Sequence, residues 1–244
     1  MSEFETTGAA RIGAAEDRFE NYAMLSRLFR SELDASLLRV LVESPVIEPM
    51  ENAHFNEGYQ LIRGFLDGVD DVDRNRSVLA IDYCLAFLGY GSNPERDDES
   101  TGMLAAYPYE SVYVSGSKTL AGGASASVAA EYRCSGFMPM RERIVADDHI
   151  ACELEYLQHL VGKELSALEA KEEATVLDLR KRELEFIESH PLAWIGAFES
   201  AVMSFAETDF YPGLVRMTRG WLEMEVQELG GAAKAGGDDE RAWT

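Results

Sequence analysis

The sequence predicts an all-α protein: a bundle of roughly ten helices, with an irregular hinge segment between an N-terminal and a C-terminal helical group. Three observations carry that expectation. Apolar residues recur at helical spacing along most of the chain. Asp, Pro and Gly stand where the periodic stretches begin and end. The one short run with β character, Val112–Val114, has no neighbouring run to pair with.

Taken in order, residues 1–14 are expected to be flexible, and "EDRFENYAMLSRLFRSEL" then sets Phe19, Tyr22, Leu25, Leu28 and Phe29 on one helical face. "DASLLRVLVES" is a short second helix stopped by Pro45 and Pro49. A third helix runs from about Glu51 to Leu66, with Gly68 as its C-terminal signal. In "DVDRNRSVLAIDYCLAFLGYG", Asp71 or Asp73 is the N-cap and Val78, Ile81, Leu85 and Leu88 form the apolar stripe. The first helical group thus spans about 15–106, and 107–146 is an irregular connection with a helix near Ser125–Arg133. Helical patterning resumes at Asp147 and continues in four stretches to Leu229, after which residues 230–244 read as a disordered tail. Together, 15–229 form a single domain.

Composition narrows the function. A chain of 244 residues with 46% hydrophobic and 10% aromatic content can bury a core without staples. The formal charge of −22 repels a phosphate backbone and so argues against nucleic acid, while it attracts a basic partner. Cys84, Cys134 and Cys152 are odd in number and lack CxxC spacing, which fits a reducing cytoplasm rather than a disulfide or zinc framework. The N-terminus has no basic region followed by an apolar run, and no stretch is long enough to insert in a membrane. The expected location is cytoplasmic.

The richest stretch is "DDHIACELEYLQHL", residues 147–160. On a helical wheel, Ile150, Leu154, Leu157 and Val161 form the buried seam. Asp148, Cys152, Glu155 and His159 fall opposite it, towards solvent or a partner, and His149, Glu153, Tyr156 and Leu160 lie on the shoulder. Asp147 or Asp148 is the expected N-cap. A metal reading built on His149, Glu153, Glu155 and His159 lacks the repeated Glu-x-x-His of di-iron bundles and the His-Glu-x-x-His of zinc proteases. "SGSKTL", Ser115–Leu120, lacks the glycines of a phosphate-binding loop. Met138 and Met140 are candidates to line an adaptable groove. In "HPLAWIGAFESAVMSF", Pro191 suits the first helical position, and Ile195, Phe198, Val202 and Phe205 form the core stripe with Trp194 beside it.

Several of these segments, in order, resemble the TorD/DmsD/NarJ family of cytoplasmic redox-enzyme maturation chaperones. They are "DYCLAFLGYG", "YESVYVSG", "AAEYRCSGFM", "DDHIACELEYLQHL" and "HPLAWIGAF" with the later "FY", over about residues 15–228. One departure is Ala146, which stands where the family often has a proline two residues before the Asp-His pair. The resemblance implies a chaperone without turnover or cofactor. It would bind the twin-arginine signal peptide and the apo catalytic subunit of a molybdopterin oxidoreductase, of the dimethyl sulfoxide or trimethylamine N-oxide reductase type. It would assist cofactor insertion and delay export, as a monomer or homodimer. By the same resemblance Asp148 and His149 lead the recognition residues, followed by Glu153, Tyr109, Glu110, Tyr113 and Trp194. An all-helical metal-binding enzyme is the alternative.

Overall fold

The computed structural model describes residues 3–90, 103–114, 123–140 and 144–239, and the side chains of those within 8–231. Among them are ten α-helices and one π-helical turn. They are α1 (Glu3–Arg30), α2 (Ala35–Glu43), α3 (Ala53–Asp67), α4 (Val72–Tyr83), the π turn (Cys84–Leu88), α5 (Glu110–Val114), α6 (Gly123–Ser135), α7 (Ile150–Ala170), α8 (Glu173–Ser189), α9 (Pro191–Phe205) and α10 (Phe210–Asp239). No strand occurs among the described residues, and an isolated bridge pairs Tyr109 with His149. The all-α expectation holds.

Local signals fix several helix starts. Asp34 accepts from the backbone N–H groups of Ser36 and Leu37 at 2.9 Å, Asn52 from Phe55 at 3.0 Å, and Asp71 from Arg74 at 3.0 Å. Pro191 occupies the first turn of α9, where its missing N–H costs nothing. The π turn ends at Gly89, whose φ of 73° is left-handed backbone that favours glycine.

The core is built from two close helix pairs. α1 lies along α7, and α3 lies along α10, with α8 and α9 filling the space between. Tyr22, Leu25, Leu28 and Phe29 of α1 and Ile150, Leu154, Leu157 and Val161 of α7 are all buried in one core, as expected. The α3–α10 approach is close enough to require glycine. A Cβ on Gly58 would stand 2.3 Å from the backbone nitrogen of Met217, and one on Gly220 would stand 2.2 Å from that of Phe55.

Four details differ from the sequence reading. The stripe expected through α4 is out of phase, since Val78, Ile81 and Leu88 are 41%, 60% and 42% exposed. Leu79, Tyr83, Ala86 and Phe87 are buried instead. The reason is aromatic packing: the Phe87 ring stands 5.1 Å from both Tyr83 and Tyr211, and the i→i+5 winding of the π turn shifts the helical phase. Second, α1 is helical from Glu3 rather than from Glu16. Third, α10 continues past Leu229 to Asp239. Finally, Val112–Val114 lies in the short helix α5, inside the stretch expected to be irregular.

Candidate functional site

The segment 107–114 lies against the start of α7, and backbone hydrogen bonds hold it there. Ile150 N–H donates to Pro108 O at 3.0 Å, and Glu110 N–H donates to Asp148 O at 2.9 Å. Asp148 Oδ2 then accepts from Ser111 N–H at 2.8 Å, at the start of α5. These bonds use backbone groups that would otherwise be left unpaired in the interior. They also explain why residues far apart in sequence converge.

All seven residues singled out from the sequence fall in this one region. The Tyr109 and His149 rings meet edge-on at 4.8 Å. Trp194 donates from Nε1 to Glu153 Oε2 at 3.2 Å, while its ring stacks on Tyr113 at 5.4 Å. Glu110 Oε2 lies 2.9 Å from His190 Nδ1. Glu153 Oε1 meets no donor, and protonating it turns it into a donor towards the neighbouring Glu110 carboxyl. Burial, together with Glu110 and Asp148, pushes Glu153 well above the usual carboxylate range.

The wheel misplaces several of these groups. Asp148 and Cys152 were expected on the outer face, and both are fully buried. The N-cap is His149, not Asp147 or Asp148: His149 Nδ1 accepts from Ala151 N–H at 3.0 Å. Burial lowers His149 to about 3, with Arg30 adding to the effect, so the ring is a neutral acceptor. Glu155 meets Arg30 at 2.6 Å, and His159 is half-buried against Phe137. The cause is tertiary: α7 has α1 on one side and the 107–114 and 132–137 segments on others, so its first turns have little free face. Cys152, buried among them, is pushed up to about 12 and is an inert thiol.

The metal reading fails on geometry. His149, Glu153, Glu155 and His159 turn to Ala151, Trp194, Arg30 and the Ser135 carbonyl respectively, so they do not converge. Among the described residues no group of three or more His, Cys, Asp or Glu is arranged to hold a metal ion. Ser115–Leu120 lies outside the described residues. Met138 and Met140 are exposed rather than seated in a groove.

What opens to solvent beside the cluster is a concavity of 510 Å³. Tyr83, Phe87, Tyr107 and Tyr109 give it aromatic walls, His149 reaches it, and Glu32 and Tyr90 stand at its margin. Sequence reasoning missed His190 and Glu32. His190 carries a weak signal, since it directly precedes the Pro191 helix start, but Glu32 reads as any acidic residue at a helix end.

No described helix is long and apolar enough to cross a membrane. The family model described as nitrate reductase delta subunit matches residues 51–200, a span that holds every residue of the cluster. The chaperone protein TorD of Vibrio cholerae is 26% identical over 231 aligned residues, covering 86% of this chain and 90% of its own. Those of Aliivibrio salmonicida and Vibrio parahaemolyticus are each 24% identical, covering 88% of this chain and 96% and 95% of theirs. The chain therefore belongs to the nitrate reductase delta subunit family, as a TorD-like chaperone rather than an enzyme.

Proposed function

We propose that this chaperone acts in the cytoplasm on a molybdopterin oxidoreductase of the dimethyl sulfoxide or trimethylamine N-oxide reductase type. It binds that enzyme's twin-arginine signal peptide in the aromatic concavity over Tyr109 and His149. The carrying observation is the chemistry of the concavity: aromatic walls for an apolar run, and the Glu32 carboxyl at the margin for a guanidinium. The net charge of −22 favours encounter with a cationic leader. Asp148, Glu153, Glu110 and Trp194 are too deeply buried to meet an arginine directly. In this reading they position the wall that carries Tyr109 and His149, and Tyr113 acts behind it, stacked on Trp194. Holding the leader delays export while the cofactor enters the apo catalytic subunit.

Titration calorimetry with a synthetic leader tests the site. Glu32→Lys and Tyr90→Asp change half-buried and exposed side chains, so the fold survives. Each is expected to weaken binding about tenfold or more, and replacing the leader's arginines with glutamine is expected to do the same. Leader binding at unchanged strength in both protein variants would remove the concavity as the site.

A further inference from the structure

A second concave surface lies on the other side of α1, between α1, the 44–50 loop, α3 and α10. It shares no lining residue with the aromatic concavity. Its volume is 290 Å³, and Leu28, Phe55, Ile62 and Phe210 supply a largely apolar floor. Met24 and Ile47 stand at the rim, 38% and 41% exposed. The rim is fixed before any ligand arrives: Tyr59 Oη accepts from Ile47 N–H at 3.0 Å, and Asn56 pairs with both backbone groups of Met50 at 2.8 and 2.7 Å.

Three features point to what fits there. First, Arg63 and Trp221 line the cleft, and Arg63 Nε and Trp221 Nε1 are buried without a hydrogen-bond partner among the described residues. Buried N–H groups are normally paired, so these two donors in the cleft lining call for acceptors, which a ligand supplies once the two side chains turn towards it. Second, the cleft adjoins an acidic basin through Asn21 and Trp221, which line both. There Asp17, Glu20 and Glu228 are exposed, and among the described residues only the buried Glu225 is matched by a cation, Arg18. Third, four of the chain's nine methionines, Met24, Met50, Met217 and Met224, line the cleft and basin. Methionine adapts to apolar partners of varied shape.

We propose that this cleft is a second docking surface, for an extended apolar segment of an unfolded partner chain with a basic residue at its flank. An extended segment leaves its main-chain carbonyls free for Arg63 and Trp221, whereas a helix uses all but the last few of its own. The apolar side chains fill the cleft, and the basic flank reaches Glu20 and Glu228. The inference does not depend on the leader reading, because the segment needs no arginine pair.

The probe is fluorescein-labelled acetyl-Lys-Gly-Leu-Val-Leu-Ala-Leu-amide, titrated with the full chain and followed by fluorescence anisotropy. Saturable binding is expected, weakened about tenfold or more by Met24→Glu with Ile47→Asp. Glu20→Lys with Glu228→Lys is expected to weaken it several-fold and to remove its salt dependence, as is a probe with glutamine for lysine. Tyr90→Asp, in the aromatic concavity, leaves binding unchanged, so failure here and failure of the leader site are read separately. Four results overturn the proposal: no saturable binding, unchanged binding in both double variants, loss of probe binding in Tyr90→Asp, or a homodimer that Ile47→Asp disperses. The last would make the cleft a contact between two copies of this chain.

Discussion

The Arg18 cluster and the Glu110–Asp148–Glu153 cluster are both buried and both gather carboxyl groups from distant parts of the chain. Only the first contains an arginine. Arg18 of α1 donates to Glu164 of α7 at 2.8 Å, to Glu225 of α10 at 2.7 Å, and to Glu183 of α8. Arg180 adds a second donor to Glu164 at 2.6 Å, and the Tyr22 hydroxyl donates to Glu225 at 3.0 Å. Burial works against the guanidinium charge, but the surrounding carboxylates outweigh it and raise the Arg18 pKa further. In the second cluster, among the described residues, neither arginine nor lysine is paired with Glu110, Asp148 or Glu153. Its charge is relieved by backbone N–H groups, by His190 beside Glu110, by the Trp194 N–H and by the proton that Glu153 retains. A cluster closed by arginine can serve as a fixed joint between four helices. One closed by backbone donors, His190 and the Glu153 proton stays responsive to its surroundings, and it lies at the wall of the proposed leader groove.

The most severe way to break the comparison is to remove the cation. Arg18→Met takes the shared donor from three buried carboxyls: Arg180 still meets Glu164 and Tyr22 still meets Glu225, but Glu183 keeps no donor among the described residues. It is expected to cost about 4 kcal/mol in urea unfolding, because breaking a buried ionic network strands the remaining charges. A loss below about 1 kcal/mol would mean that the carboxyls simply take up protons, and the two clusters would then be alike.

In the second cluster the matching experiment separates charge from shape. Glu153→Ala removes the acceptor of Trp194 and leaves a gap, for an expected loss of about 3 kcal/mol. Glu153→Gln keeps an acceptor for Trp194 and a donor towards Glu110, as the protonated acid does, so its expected cost is under about 1 kcal/mol. Equal losses in the two variants would show that Glu153 acts as a carboxylate.

This contrast also marks what the sequence made legible. The helices and caps were readable because apolar spacing, Asp34, Asp71 and Pro191 act locally. The seven candidate residues could be named together because the family resemblance groups them, not because the wheel placed them. The wheel assumes one buried face, and it failed where α7 is enclosed on several sides, so Asp148 and Cys152 were set outside. It failed again at Val78 and Ile81, where the Tyr83–Phe87–Tyr211 contacts and the π turn decide the phase. Arg18 was invisible for a different reason. Its partners lie 146, 165 and 207 residues away, and nothing local distinguishes it from a solvated arginine.

A milder probe of the first cluster uses pH. Burial raises Glu183 to about 8, only partly offset by Arg18. An unfolded glutamate ionises near 4.5, so between those values the folded state holds the extra proton. Stability should therefore fall as pH rises through this window, by at most about 1.4 kcal/mol per pH unit. Glu183→Gln should flatten the fall between pH 6 and 8, and urea titrations at each pH would show it. An unchanged slope would assign the retained proton to another group.

The smallest expected effect concerns His149, and it runs with the opposite sign. Its folded pKa is about 3 against an ordinary 6.5, so the unfolded chain binds the extra proton between them. The stabilising contribution is complete above 6.5 and is lost as pH falls towards 3. His149→Ala removes the acceptor for Ala151 N–H and should cost about 1 kcal/mol at pH 7. His149→Asn restores a capping acceptor that does not titrate, with a change of about 0.5 kcal/mol or less at that pH. At pH 4.5 the asparagine variant should be more stable than the parent, because every other acid-sensitive group is common to both and cancels in the difference. If the two proteins lose stability in parallel on acidification, His149 is not the neutral cap. The proposed groove would then change its charge in the range where histidine ordinarily titrates.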